Sequence, residues 1–449
     1  MLRGFIGLCV FVFVLFALEK NLHFGDKIEF LRRSYAIVGG YRTVVEASRH
    51  STFLRTAEAN YFFRNGISKQ AVDTILQQAV NFEKIVNSIE PIDTIQFTMY
   101  RSKQLTDAWG KGSVETFQNK EHACPYVQKC FSVVGDLSQD KSLSRSRASV
   151  NMVSNCQNIE NGLSKSFMEG DTFYFPGKNL RKVLLCGEGG RKALEGKLEN
   201  FDIAFLFNPM VPYTTTQGAV QQTELLFFNP HVRGGVSFFL KLARTARNPK
   251  PRIQLGAHRF DVGIFVSNCE GGPRNRYLSA LTEPSALKTL SVFSFGKCFP
   301  VHGRGRTNVQ EFLRMNVADD TMDGGGNPFK EKEYASRSFR FIVSMENAVD
   351  NPFYVTEKIF NAYRSGALPL YLGPREVLLF VPKHSFIDVS NYRDTPALVK
   401  YLEYLKKNRS AYDEYMSWDL DEYVSRPWIQ SKLLSTSWQC RLCSQLSSL

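Results

Sequence analysis

Much that would simplify this chain is missing from it. Its 449 residues contain no internal repeat and no low-complexity tract, which excludes solenoids and fibrous arrays. There is no long run of Lys or Arg and no recognisable nucleic-acid module, so the net charge of +13 fits an anionic ligand or an acidic surface better than a nucleic acid. Such an excess is also compatible with ordinary solubility. The seven histidines are scattered without ligand spacing. Cys440-Arg-Leu-Cys443 has neither a second CxxC nor paired histidines to complete a zinc site, so zinc is the weaker reading and no metal site is expected. Asp320 and Asp323 form an acidic pair in a Gly-rich polar loop and read as solvated. One glycosylation sequon stands out, Asn408-Arg-Ser410. At the N-terminus, residues 4–18 carry no charge, but fifteen residues fall short of the roughly 20 that a membrane span usually needs. No small-residue cleavage site stands out there. Arg3 before the run favours a cytosolic start, and Lys20 after it weakens that argument. An uncleaved anchor is the favoured reading; a cleaved signal and a buried helix stay open.

What is present describes a globular protein of two domains and a stalk. Hydrophobic residues make up 43% of the chain, and its length accommodates two ordinary domains. Eight cysteines lie beyond the apolar run: Cys124, Cys130, Cys156, Cys186, Cys269, Cys298, Cys440 and Cys443. An even number is compatible with disulfides in an oxidising lumen. The organisation read from composition is a tail at 1–3, an anchor at 4–18 and a polar stem at 19–93. An α/β domain at 94–250 follows, with its basic connector at 241–252, then a second domain at 251–425 and a CxxC tail at 426–449.

The densest signal runs from 339 to 374. An apolar run at 339–343 is short enough for a buried strand. A polar loop at 346–354 leads to Thr356, a candidate cap for a helix bearing Ile359, Phe360, Ala362 and Tyr363. Gly366 can end that helix in a left-handed turn, and a second apolar run at 367–372 stops at Gly373-Pro374. Strand, helix and strand in this span make a parallel βαβ unit of a doubly wound sheet. Such sheets bind ligands beyond the strand carboxyl ends and at helix N-termini. That crevice is where Glu346, Asn347, Tyr354, Thr356, Glu357 and Lys358 fall, a composition suited to an anionic, nucleotide-type ligand. Further on, Thr395 and Pro396 open a helix with Thr as cap, and Ser410 with Asp413 opens another.

The same stretch resembles the donor-binding motif of the α1,3/4-fucosyltransferases, glycosyltransferase family 10, on Glu346-Asn347, Tyr354, Thr356-Glu357-Lys358, Ala362, Gly366, Pro369 and Gly373-Pro374. It departs from that pattern at Met345, Ala348 and Phe353, where the family has Phe, Ser and Asp, and its loop is one residue longer. The segment from Cys130 to Arg147 is similar to the stretch that follows a paired cysteine in the family. Residues 183–188 (VLLCGE), followed by Phe201-Asp202-Ile203-Ala204, resemble the family's acceptor-side strand ending in a Glu. Ser267-Asn268, a short loop and Arg274 resemble its strand ending and phosphate-contacting Arg, with Arg276 a near alternative.

The resemblance implies a GT-B type architecture of two Rossmann-like domains facing a cleft. It implies transfer of L-fucose from GDP-fucose, with inversion, to a glycan on a glycoprotein or glycolipid. It also implies a Golgi membrane location, single-pass type II. Glu188 is the implied general base. Arg274, Asn347, Tyr354, Glu357 and Lys358 are the implied donor-binding residues, with Glu357 on the ribose hydroxyls. CxxC tails in the family imply a disulfide. Arg274 and Lys358 can meet a leaving diphosphate, so the scheme requires neither metal nor cofactor. An inactive, glycan- or partner-binding relative is the alternative, and a hydrolase using Glu188 a third reading.

Overall fold

A computed structural model describes residues 57–88, 94–101, 120–134, 148–155, 180–188, 201–206, 224–227, 229–245, 259–270, 272–316 and 327–447. Contacts separate residues 1–61 from the unit formed by 62–449, and of the former only the opening of the helix Ala57–Arg64 is described. The expected anchor at 4–18, the segment 135–147 and the acidic pair Asp320 and Asp323 lie outside the described residues. Among the described residues no helix is long and apolar enough to cross a membrane.

The unit 62–449 contains two sheets. The first has seven strands: β1 (Thr94–Arg101), β2 (Lys120–His122), β3 (Lys129–Val134), β4 (Ala148–Asn155), β5 (Arg181–Glu188), β6 (Ile203–Leu206) and β7 (Glu224–Phe227). Their order is β2-β3-β1-β4-β5-β6-β7, parallel throughout except for β2, which runs antiparallel at the edge. Consecutive residues such as Val183, Leu184 and Leu185 are fully buried, as a parallel sheet covered on both faces requires. The second sheet comprises β8 (Phe260–Ile264), β9 (Val292–Ser294), β10 (Phe339–Met345), β11 (Leu368–Leu372) and β12 (Ile387–Asp388), in the order β12-β11-β10-β8-β9 and wholly parallel. Strand order reverses between β8 and β10, because β9 returns to the far side of β8. In open α/β sheets the ligand crevice lies at such a switch point, beyond the strand carboxyl ends.

Three stretches fold differently from the sequence-based expectation. Helix α1 (Lys69–Ser88) matches the helix-like stretch that the stem contains, but it is packed against the rest of the unit. Ala71, Val72, Ile75, Leu76, Ala79 and Phe82 form its buried stripe, and a stripe of that width must be covered. Its Gln78 side chain accepts a hydrogen bond from Phe227 N, and Glu83 accepts one from Lys432 N. Helix α2 (Pro230–Thr245) takes in the first part of the supposed basic connector. It packs on the second sheet's side: Phe239 meets the rings of Tyr363, Trp418 and Tyr423 at 5.1–5.4 Å. Gly235 permits this crossing, since a Cβ there would lie 2.0 Å from the Phe360 ring. The C-terminal stretch is likewise no tail. Helix α8 (Trp438–Ser447) returns to the first sheet and buries Trp438, Leu442, Cys443 and Leu446 among Ile95, Phe97, Val183 and Phe205.

Both cysteines of the CxxC pair are disulfide-bonded to the β2–β3 region, Cys440 to Cys124 and Cys443 to Cys130. The pair is thereby a double staple and not half of a zinc site. The numbering between α2 and α8 follows the second half of the chain: α3 (Arg274–Thr282), α4 (Pro328–Ser336), α5 (Glu357–Arg364), α6 (Thr395–Lys407) and α7 (Arg409–Met416). Two helix starts differ by one or two residues from the expected caps. Asp394, not Thr395, caps α6 by accepting from Ala397 N at 2.9 Å. Asn408, not Ser410, caps α7 by accepting from Ala411 N at 3.1 Å, and its amide donates to the Tyr404 hydroxyl. The asparagine of the sequon is thus a helix cap.

Candidate functional site

The site forms where the loops after β8 and β10 meet the first turn of α5. The β8 loop is held in shape before any ligand is considered. Asn268 Oδ1 accepts from Glu270 N at 2.9 Å, and Cys269 is disulfide-bonded to Cys298 beyond β9. Gly296 allows the two loops to touch, because a Cβ there would lie 1.8 Å from Val266 O. This loop delivers Arg274 as the first residue of α3.

Arg274 is 0% exposed. Its guanidinium donates to Asn268 O, to Met345 O at 3.3 Å and to Asn347 Oδ1, so it ties the end of β8 to the end of β10. Its Nε is buried without a partner. Burial pulls its pKa down, while Glu346 and Tyr354 push the other way. Arg276, the sequence-level alternative, is exposed and bonds the Tyr277 hydroxyl at 2.7 Å; the structure puts Arg274, not Arg276, in the crevice.

Beside Arg274, β10 ends in Met345 and the buried carboxylate Glu346. Glu346 accepts from Thr356 N at 2.7 Å, from the Thr356 hydroxyl at 2.7 Å and from Lys358 Nζ at 3.1 Å. Lys358 Nζ also donates to Thr356 Oγ1 at 2.8 Å. Thr356 therefore occupies the cap position of α5 without capping it; its hydroxyl is held by Glu346 instead. Isolated buried carboxylates are costly; this one is matched by a lysine and two further donors. Gly373 makes room for it, since a Cβ there would come within 2.9 Å of Glu346 Cγ and 2.4 Å of the Tyr371 hydroxyl. Burial alone would lower the Lys358 pKa, but Glu346 and Glu357 outweigh it and raise it, so the ammonium is charged at neutral pH. Its side chain remains 18% exposed. The turn after α5 is as expected, with Gly366 at φ +73°.

Three further residues of the site escape sequence reasoning. His231, on the first turn of α2, lies 3.8 Å from Glu357. Burial lowers its pKa, against the pull of Glu357 and Glu346. Lys332 of α4 interacts electrostatically with Glu357, Lys358 and Glu346, and burial lowers its pKa too. For Glu357, burial raises the pKa, but Lys358, His231 and Lys332 outweigh it and hold the carboxyl low. Asn229 is buried and uses its whole amide. It donates to Phe353 O at 3.3 Å and Val355 O at 2.8 Å, and accepts from His231 N and Val232 N at 3.1 and 3.0 Å. It thus caps α2 and fixes the backbone on both sides of Tyr354. Phe353, which departs from the family pattern, takes a left-handed φ of +62° and packs on Phe227 and Phe380. No local signal marks Asn229 or Lys332, because both come from distant stretches.

Tyr354 is buried in the core of the first sheet, and Ala348 packs against that core, so the loop carrying Asn347 lies at the junction of the two sheets. Glu188 is the last residue of β5, paired with Asn155 of β4; its side chain lies outside the described residues. The structure therefore brings Arg274, Asn347, Tyr354, Glu357 and Lys358 to one crevice and places Glu188 at a strand carboxyl end of the other sheet. Chemically, three cations, Arg274, Lys358 and Lys332, face two carboxylates at a helix N-terminus, an arrangement that favours an anionic group.

A parallel sheet with such a crevice at its switch point has the architecture of the open α/β proteins that bind ligands beyond their strand carboxyl ends. Residues 258–449 match the family described as Glycosyltransferase family 10 (fucosyltransferase) C-term. An Arabidopsis thaliana protein named Alpha-(1,4)-fucosyltransferase is 31% identical over 188 residues, 42% of this chain and 45% of that one. The human 4-galactosyl-N-acetylglucosaminide 3-alpha-L-fucosyltransferase 9 is 37% identical over 90 residues, 20% of this chain and 25% of that one. The chain thus spans less than half the length of these curated relatives. A crystal structure of an alpha1,3-fucosyltransferase with GDP-fucose aligns with 80% of this chain and 98% of its own, at 15% identity and a TM-score of 0.37.

Proposed function

We propose that this protein is an inverting fucosyltransferase that moves L-fucose from GDP-fucose to a glycan hydroxyl, in α1,3 linkage to N-acetylglucosamine. In this reading the two sheets face each other across a GT-B type cleft, the second carrying the donor and the first the acceptor. The observation that carries it is the convergence of Arg274–Asn347 with Glu346–Thr356–Lys358 at the β8/β10 switch point. The acceptor oxygen attacks C1 of fucose on the face opposite GDP. The C1–O bond to the diphosphate breaks, GDP departs with that electron pair, and Glu188 takes the hydroxyl proton. Lys358 and the amides opening α5 stabilise the charge that develops on the diphosphate. Asn347 Oδ1 holds the place on the Arg274 guanidinium that a phosphate oxygen would take. Asn347 and Tyr354 contact the donor, and Glu357 receives the ribose hydroxyls, its carboxylate kept ionised by its cationic neighbours. The scheme calls for no metal, because side-chain cations meet the diphosphate; full activity in chelator is the expectation.

The disulfides support a luminal compartment, in keeping with a Golgi enzyme anchored through residues 4–18. Incubating the purified protein with GDP-fucose and a panel of glycan acceptors tests the proposal. Release of GDP matched by a fucosylated product is expected. GDP binding with no turnover on any acceptor would instead identify an inactive glycan-binding relative, and acceptor-independent release of free fucose a hydrolase.

A further inference from the structure

Apart from the donor crevice, a cavity of about 40 Å³ lies between the start of α2 and the C-terminal helix α8. Phe227, Asn229, Arg233, Thr436, Trp438 and Arg441 line it, together with two leucines and a proline. No carboxylate is among these lining residues. Arg441 is 7% exposed. It donates to Phe227 O at 2.6 Å and its guanidinium lies over the Phe205 ring, but its Nε is buried without a partner. No acidic group among the described residues offsets its charge; the nearest charged influence is a second cation, Arg233. Burial and Arg233 together pull its pKa down to about 9, so the guanidinium is still charged at neutral pH.

A buried charge without a counter-charge is strongly destabilising. In the donor crevice the same problem is met by Glu346; here nothing described answers it. The amide of Asn229 is fully engaged, and the charged groups that line the cavity are the two arginines, with the Thr436 hydroxyl beside them. The volume exceeds the roughly 10–15 Å³ that one water requires, yet it is far too small for a nucleotide or a sugar. We propose that this cavity is a binding site for a small monovalent anion of the halide class, which neutralises Arg441 and fastens α8 to the β7–α2 junction. The test reads thermal unfolding and not donor turnover, so it does not depend on the function proposed above.

Thermal unfolding of the full chain in chloride and in gluconate, matched in ionic strength at about 150 mM, tests it. Gluconate serves as the bulky, weakly binding reference anion. Chloride and bromide are each expected to raise the Tm by about 2 °C or more over gluconate. Arg441→Met should unfold at the same temperature in all three salts, and Arg233→Ala, on an exposed position of α2, should show a smaller shift than the parent. Equal Tm values for the parent protein in chloride and gluconate would overturn the proposal, as would an undiminished chloride shift in Arg441→Met. Should Arg441→Met fail to fold, bromide anomalous scattering in crystals of the parent protein decides: a peak beside Arg441 sustains the site, and its absence rejects it.

Discussion

At the second sheet, the groups that meet around Glu346 come from two adjacent strand ends and one helix turn, and every polar atom of that carboxylate is matched within about ten residues. At the first sheet, cohesion comes from far along the chain. Helix α8 covers β1 and β3, and two disulfides with sequence separations of 316 and 313 residues hold it there. Local organisation suits a site that must hold charge in fixed positions, since preorganised groups need not rearrange as the leaving group departs. Long-range stapling suits a sheet whose strands are drawn from widely separated stretches of the chain. The two regions should therefore fail differently: changes at the second sheet should alter rate as well as stability, whereas changes to the staple should alter stability alone.

The largest effect is expected at the boundary of that contrast. Glu188→Gln should leave GDP binding intact and reduce transfer by about a hundredfold or more, the range lost with a general base. Calorimetry with GDP beside a transfer assay would reveal it, and full transfer activity would remove Glu188 as base. At the second sheet, Lys358→Ala should lower kcat by about a hundredfold. Unchanged turnover in Lys358→Ala would refute its role on the diphosphate. Arg274→Ala should cost at least as much rate. Because Arg274 also links Asn268, Met345 and Asn347, a lowered Tm should accompany that loss, as it should for Lys358, whose removal leaves buried Glu346 without its counter-ion.

The staple should respond in stability. Replacing Cys440 and Cys443 together by Ser should cost about 2–5 kcal/mol in denaturant unfolding. Either replacement alone should cost much less, because the surviving bridge still closes the long loop and the second adds only the short ring between 124–130 and 440–443. Equal losses for the single and double variants would show that each bridge acts through local packing.

How much of this was legible follows the same divide. The βαβ unit, Gly366 and the position of Lys358 at the start of α5 could be read because they depend on short-range periodicity, turn chemistry and contiguous order, whereas the choice of Arg274 over Arg276 rested on the resemblance. Arg274 and Asn347 are 73 residues apart, Arg274 opening the helix after β8 and Asn347 following the end of β10. The role of Glu346 as buried counter-ion could not be read, since a carboxylate after a strand carries no mark of what it will meet. The helix at 69–88 is legible, but its packing is not, because the apolar stripe of α1 is diluted by Gln, Asn and Lys on its outer face. The disulfide partners of the CxxC pair are fixed by where α8 docks, which no local pattern encodes.

Asn229 tests whether the two regions are separable at all. It lies between them, capping α2 with its oxygen and holding the backbone around Tyr354 with its nitrogen, across a sequence separation of 124 to 126 residues. Asn229→Ser keeps a good helix cap and removes both donations to Phe353 O and Val355 O. Two lost hydrogen bonds to a loop that bears Tyr354 and Thr356 should loosen the bound donor by about tenfold in KM, with kcat within about twofold. A purely structural Asn229 would give the opposite pattern, a lower Tm with donor KM unchanged. In that case the crevice would owe its geometry to the second sheet alone, and the contrast between a locally built donor site and a remotely stapled scaffold would be complete.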